Sequence, residues 1–175
     1  VPWSPSRRLL SDHSSSYLLS DVWEMRPVPC NTPADLCVNS SQLAADAAFI
    51  GRHSHAAAVL AGRLFLAGGV TEDGVLARDT WTSVDGTKWE QSTDQAPWAA
   101  RYVHALQALA GPAREDQPGV LVLIGGATYT GAGDIFLNDV WTSMDGSHWV
   151  LQTANASWSP RAGHAATAIN RNGVT

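Results

Sequence analysis

The chain has 175 residues and a formal net charge of −5, with 45% hydrophobic and 15% charged side chains. That length usually makes one domain, and that balance excludes a disordered chain. The 11 Lys and Arg form no basic stripe and no apolar run is long enough to span a bilayer, which argues against a nucleic-acid partner and against membrane insertion.

Residues 1–51 carry two isolated signals. Asp21-Val-Trp23 is the first of three Asp-x-Trp triplets. Cys30 and Cys37 follow in the Pro-rich stretch "PCNTPADLC". A bridge between them would close a small ring and stabilise it by roughly 2–3 kcal/mol; the alternative is two free thiols in a cytosolic protein. Asn39 ("NSS") and Asn155 ("NAS") are glycosylation sequons. Together these features point to a secreted or extracellular protein, with a cytoplasmic one as the alternative.

A repeat begins near residue 49. Arg-x-x-His occurs at Arg52–His55, Arg101–His104 and Arg161–His164. An apolar run ends in Gly68-Gly69 and again in Gly125-Gly126. Asp-x-Trp returns with Trp81 and Trp141, and a later Trp follows at Trp89 and Trp149. Trp98 and Trp158 stand three residues before an Arg, where Phe49 precedes Arg52. The stretch "DTWTSVDGTKW" (79–89) shares seven of eleven residues with "DVWTSMDGSHW" (139–149).

Each complete unit holds four strand candidates. They are the Ala-rich run after the His, the apolar run ending in Gly-Gly, the Asp-x-Trp segment, and the segment after the last Trp. Asp85-Gly86 and Asp145-Gly146 join the third to the fourth, a dipeptide that favours a two-residue hairpin turn with positive φ at both positions. The second unit is longer by eight residues between its His and Gly-Gly and by three between Gly-Gly and Asp-x-Trp. The Gly-rich "GGATYTGAG" reads as a flexible loop.

This order of Arg-x-x-His, apolar strand with Gly-Gly, Asp-x-Trp and a later Trp resembles the kelch repeat, well over 49–175 and poorly over 1–48. The resemblance implies an all-β, partial kelch-type β-propeller built of four-stranded blades. Its spans are an incomplete blade with the Cys loop (1–51), one blade (52–100), a second with longer connections (101–160) and the start of another (161–175). Because such propellers close into rings, the chain reads as part of a longer protein.

Multiplicity separates scaffold from site. A catalytic group is needed once, whereas a residue found once per unit is a device of the fold. The Trp residues are therefore expected to pack neighbouring blades together. His55, His104 and His164 are expected to be buried and hydrogen-bonded rather than to converge on a metal. Arg52, Arg101 and Arg161 are expected to cap backbone carbonyls, and the Gly-Gly pairs to allow close backbone approach. No nucleophile elbow, phosphate-binding loop or zinc-type cysteine set appears, so no cofactor is expected.

Function is then sought in the unrepeated connections 24–48, 70–78, 111–118 and 127–137, with Glu72, Asp73, Arg114, Glu115, Asp116 and Tyr129 as candidate contacts. The reading is a non-catalytic interaction module that binds other proteins or glycans. Two alternatives come from the resemblance: the propeller of a galactose-oxidase-like or sugar-mutarotase-like enzyme whose active site lies outside this window, and an intracellular kelch adaptor.

Overall fold

The computed structural model of the protein describes residues 20–29, 36–109, 111 and 119–168. Among them every regular element is a strand. β1 (Val22–Pro29) and β2 (Leu36–Ala44) form an antiparallel hairpin. β3 (Arg52–His53), β4 (Ala56–Leu60), β5 (Arg63–Ala67), β6 (Val70–Thr71), β7 (Thr80–Ser83) and β8 (Glu90–Thr93) follow. β9 (Ala105–Leu109), β10 (Val120–Thr130), β11 (Gly133–Ser143) and β12 (Val150–Thr153) complete the order. Two four-stranded antiparallel sheets result, β4-β5-β7-β8 and β9-β10-β11-β12, with β3 and β6 paired at one end of the first. No sheet closes into a barrel.

The second strand of each sheet is the most apolar, because both of its faces are covered. In β5 the run Phe65-Leu66-Ala67 is buried, and in β10 Leu121 and Leu123 are fully enclosed. The outer strands β8 and β12 are only four residues long, which limits edge-to-edge pairing. The core lies between the two sheets. Leu60, Phe65 and Ala67 of the first meet Leu106, Leu121, Leu123 and Trp149 of the second, with Trp98 at the centre. Trp98 is 0% exposed and meets Trp149 edge-on at 5.9 Å. Phe49 does the same for Trp89 at 5.3 Å.

The turn between third and fourth strands differs from the sequence expectation. Only the glycines have positive φ (Gly86 +76°, Gly146 +77°), and six residues separate the strands, so this is not a two-residue hairpin. Asp85 instead accepts from the backbone N–H groups of Thr87 and Lys88, and Ser83 Oγ accepts from Gly86 N–H. Asp145 and Ser143 repeat the arrangement. The side chain thus satisfies donors that a wider turn leaves unpaired. Each turn also packs against the preceding sheet. A Cβ on Gly146 would lie 2.9 Å from the Phe65 ring, and one on Gly86 would lie 2.8 Å from Leu43 of β2.

The stretch 125–137 is not a flexible loop. β10 and β11 continue through it, with Ala127 opposite Phe136 and Tyr129 opposite Asp134, and they turn at Gly131-Ala132. The glycines lower strand propensity locally, but antiparallel pairing with Ile135 and Phe136 carries the ladder to its tip.

Candidate functional site

The end of each sheet where the first strand starts is held by a buried arginine. Arg52 donates to both carboxylate oxygens of Asp79, at 2.6 and 2.9 Å, and to the Gly68 carbonyl at 3.1 Å. Arg101 does the same to Asp139, at 2.7 and 2.8 Å, and to the Gly125 carbonyl at 2.9 Å. Their Nε atoms donate to the carbonyls two residues upstream, Ile50 and Ala99. Each aspartate also accepts from an indole, Trp81 or Trp141, at 2.7 Å. Burial acts to raise the Asp139 pKa, but bonds from Arg101 and Trp141 outweigh it and hold the carboxyl below its ordinary value. A planar guanidinium suits this fork because both partners lie in its plane.

The Gly-Gly pairs sit under this clamp with positive φ. A Cβ on Gly125 would approach the carbonyls of Arg161 and Leu137 at 2.9 Å, and one on Gly126 would approach His104 Cβ at 2.6 Å. Gly68 and Gly69 repeat this against Arg101 and His55. Backbone bonds link successive units along the same end: Gly69 to Arg101, Val103 to Ser54, Gly126 to Arg161 and Gly163 to Val103. Ser54, Val103 and Gly163 share one slot and all have positive φ.

The histidines differ from expectation. His104 is buried, yet neither ring nitrogen has a hydrogen-bond partner. The ring lies against Gly68 and Gly126, with the Ala67 backbone beside it. Burial, then the Arg101 charge, lowers its pKa to about 3. His164 is half-buried and also unpartnered, and His55 is exposed. Among the described residues no three His, Cys, Asp or Glu side chains group as a metal site would.

The unrepeated connections do not converge. Segments 70–78 and 127–137 lie at the clamp end. Leu109 and Val120, which flank the segment 111–118, lie at the other end, beside the Leu60–Arg63 turn. Arg114, Glu115 and Asp116 lie outside the described residues, as does Cys30. Cys37 is on β2 opposite Val28 and exposed, and Asn39 and Asn155 are exposed.

The two clamp-end connections are built differently. In the first unit, Thr71 N–H and Oγ1 bind the Val75 carbonyl and close a small turn that leaves Glu72 and Asp73 in solvent. In the second, β10 and β11 project as a ribbon. Tyr129 is 60%, Ile135 47% and Phe136 54% exposed. Tyr129, Asp134 and Phe136 share one face of this ribbon by register. Tyr102, bridged to Ala127, gives its hydroxyl to Asp134, and that bond raises the tyrosine pKa. Sequence reasoning picked Tyr129 here and missed Tyr102, Asp134, Ile135 and Phe136; the signal for Ile135 and Phe136 was the apolar run Ile-Phe-Leu just after the Gly-Ala-Gly turn.

No family model matches the chain, and no curated protein matches it. Among similar solved structures, one titled "Structure of YjhT" aligns over 75% of this chain at 17% identity with a TM-score of 0.48. This chain spans about a third of that one, 34%. A likeness of that size bears on neither the fold nor the function argued here.

Proposed function

We propose that this chain is a non-catalytic, kelch-like β-propeller module of a larger, extracellular protein, and that it binds another protein or a glycan through the ribbon at 127–137. One observation carries the reading. The recurring Arg and Asp of the two complete units are taken up in matching internal contacts, whereas the ribbon is unrepeated and presents Tyr129, Ile135 and Phe136 to solvent. Exposed aromatic side chains beside a carboxylate suit a partner met by stacking and a few polar contacts. The blade reading rests on two equivalent four-stranded sheets and on the hairpin β1–β2. In that hairpin, Val22 and Leu43 meet Gly86 much as Thr80 and Ser92 meet Gly146.

The extracellular reading rests on the two sequons, whose asparagines Asn39 and Asn155 are exposed. A Cys30–Cys37 bridge and glycans on Asn39 and Asn155 belong to the same proposal. Intact-mass analysis before and after reduction tests the bridge; a mass unchanged by reduction, with two reactive thiols, contradicts it.

The ribbon is tested by Tyr129→Ala/Phe136→Ala beside a Gly-Ser replacement of 112–118. Both go into quantitative affinity capture and a glycan-array screen against the unaltered protein. The ribbon variant is expected to melt as the unaltered protein does and to lose its captured partner at least about tenfold. Equal capture by unaltered and ribbon variants overturns the ribbon's role.

A further inference from the structure

One face of the ribbon gathers its rings and its charge. Tyr129 stands opposite Asp134 and Ala127 opposite Phe136, so these four share a face. Thr128, Ile135 and Thr130 take the other face. Tyr102 joins the first face, because it is bridged to Ala127 on the side of β10 away from β11. Asp134 is the one charged residue between positions 119 and 138.

The three rings hold different places. The Tyr102 hydroxyl reaches Asp134 on β11. Its side chain therefore crosses over Ala127, which is 1% exposed. Tyr102 is half-buried and makes a floor, whereas Tyr129 and Phe136 are exposed beside it. Asp134 lies at the hydroxyl end of that floor. From strand spacing, the face measures about 10 Å across three strands and about 7 Å along two rungs. That is room for one planar head group laid flat.

The chemistry of this face is one-sided. It offers aromatic rings and a carboxylate, and its side-chain donors are two phenolic hydroxyls, one already given to Asp134. A sugar ring needs donors and acceptors around its rim. A guanidinium is planar, carries donors alone, and stacks on aromatic rings. A carboxylate has about four lone-pair sites, so Asp134 can take an arginine and keep the Tyr102 hydroxyl. We infer that this face binds an arginine side chain of a partner protein. The guanidinium lies over Tyr102, beside Tyr129 and Phe136, and donates to Asp134. The net charge of −5 favours the approach of a basic segment. The inference rests on the ribbon being the binding surface and names what that surface takes.

An NMR titration of the isotope-labelled chain tests it. The probe is the peptide acetyl-Gly-Ser-Arg-Ser-Gly-amide. One control replaces its arginine by citrulline, which keeps the planar shape and loses the charge; another is cellotriose. The arginine peptide is expected to give saturable shifts at Tyr102 and 127–137 by about 10 mM, with citrulline at least about tenfold weaker. Asp134→Asn and Phe136→Ala each weaken binding at least about fivefold at an unchanged melting temperature, and Ile135→Ser, on the other face, leaves it as it was. The absence of a saturable shift with the arginine peptide overturns the inference. Equal binding of the citrulline peptide does so too, as does saturation by cellotriose alone, which would make the ligand a glycan. Failure of the ribbon itself looks different. If Asp134→Asn keeps the partner that Tyr129→Ala/Phe136→Ala loses, the ribbon binds but not through arginine.

Discussion

The two complete units, 52–100 and 101–160, make the same clamp and different clamp-end connections. Arg52 and Arg101 reach the same three acceptors across sequence separations that differ by eleven residues for the aspartate, 27 against 38. The insertions are absorbed in the connections, one of which lengthens two strands into a ribbon. Geometry set by a buried charge pair tolerates no drift, while a surface connection tolerates a change of form. What is common is therefore scaffold, and what differs is where selection on binding can act.

The largest way to break the likeness is Arg101→Ala. It leaves the Gly125 carbonyl unpaired and Asp139 with the Trp141 indole as its remaining side-chain donor, and should cost about 3–5 kcal/mol in urea unfolding. Arg161→Ala, in the open copy of the slot, should cost less than about 0.5 kcal/mol. Equal costs would mean that burial of the clamp is not what matters.

Gly126→Ala comes next. It places Cβ against His104 at positive φ and should destabilise by roughly 2–3 kcal/mol. Gly131→Ala, with open space around it, should be close to neutral. Thermal melts of the pair give the contrast directly.

His104 sharpens the comparison through pH. Its folded pKa, about 3, lies below the ordinary value of 6.5, so the folded chain keeps it neutral while the unfolded chain takes up a proton. Its contribution is complete above pH 6.5 and is lost as pH falls from 6.5 towards 3. Between pH 7 and 5 the loss should be about 2 kcal/mol. His104→Leu should flatten that part of the stability profile; an unchanged slope contradicts a buried neutral imidazole.

The smallest effect concerns Val103, which has φ +47° in the slot that Gly163 fills at +65°. A β-branched residue is strained there. Val103→Gly should be neutral or stabilising by up to about 1 kcal/mol, where the same change in a strand would destabilise.

Much of the scaffold was legible because it recurs. Arg-x-x-His, Gly-Gly and Asp-x-Trp stand in order, and each proves to be a corner of one clamp. The Arg–Asp pairing itself was not legible, because unequal spacing hides which acidic residue an arginine meets. The surroundings of His104 were not legible for a different reason: hydrogen-bonding capacity can be read from a residue type, but the glycines that pack on the ring, Gly68 and Gly126, come from separate units. The ribbon was hidden by composition, since "TYTGAG" carries turn residues and only pairing with Ile135 and Phe136 makes it strand.

The clamp is tested most directly by a double-mutant cycle on Arg101→Leu and Asp139→Asn, read by urea unfolding. A coupling of about 2 kcal/mol or more between the two positions is expected. A coupling near zero, with additive losses, would contradict the claim that this ion pair holds the repeated unit.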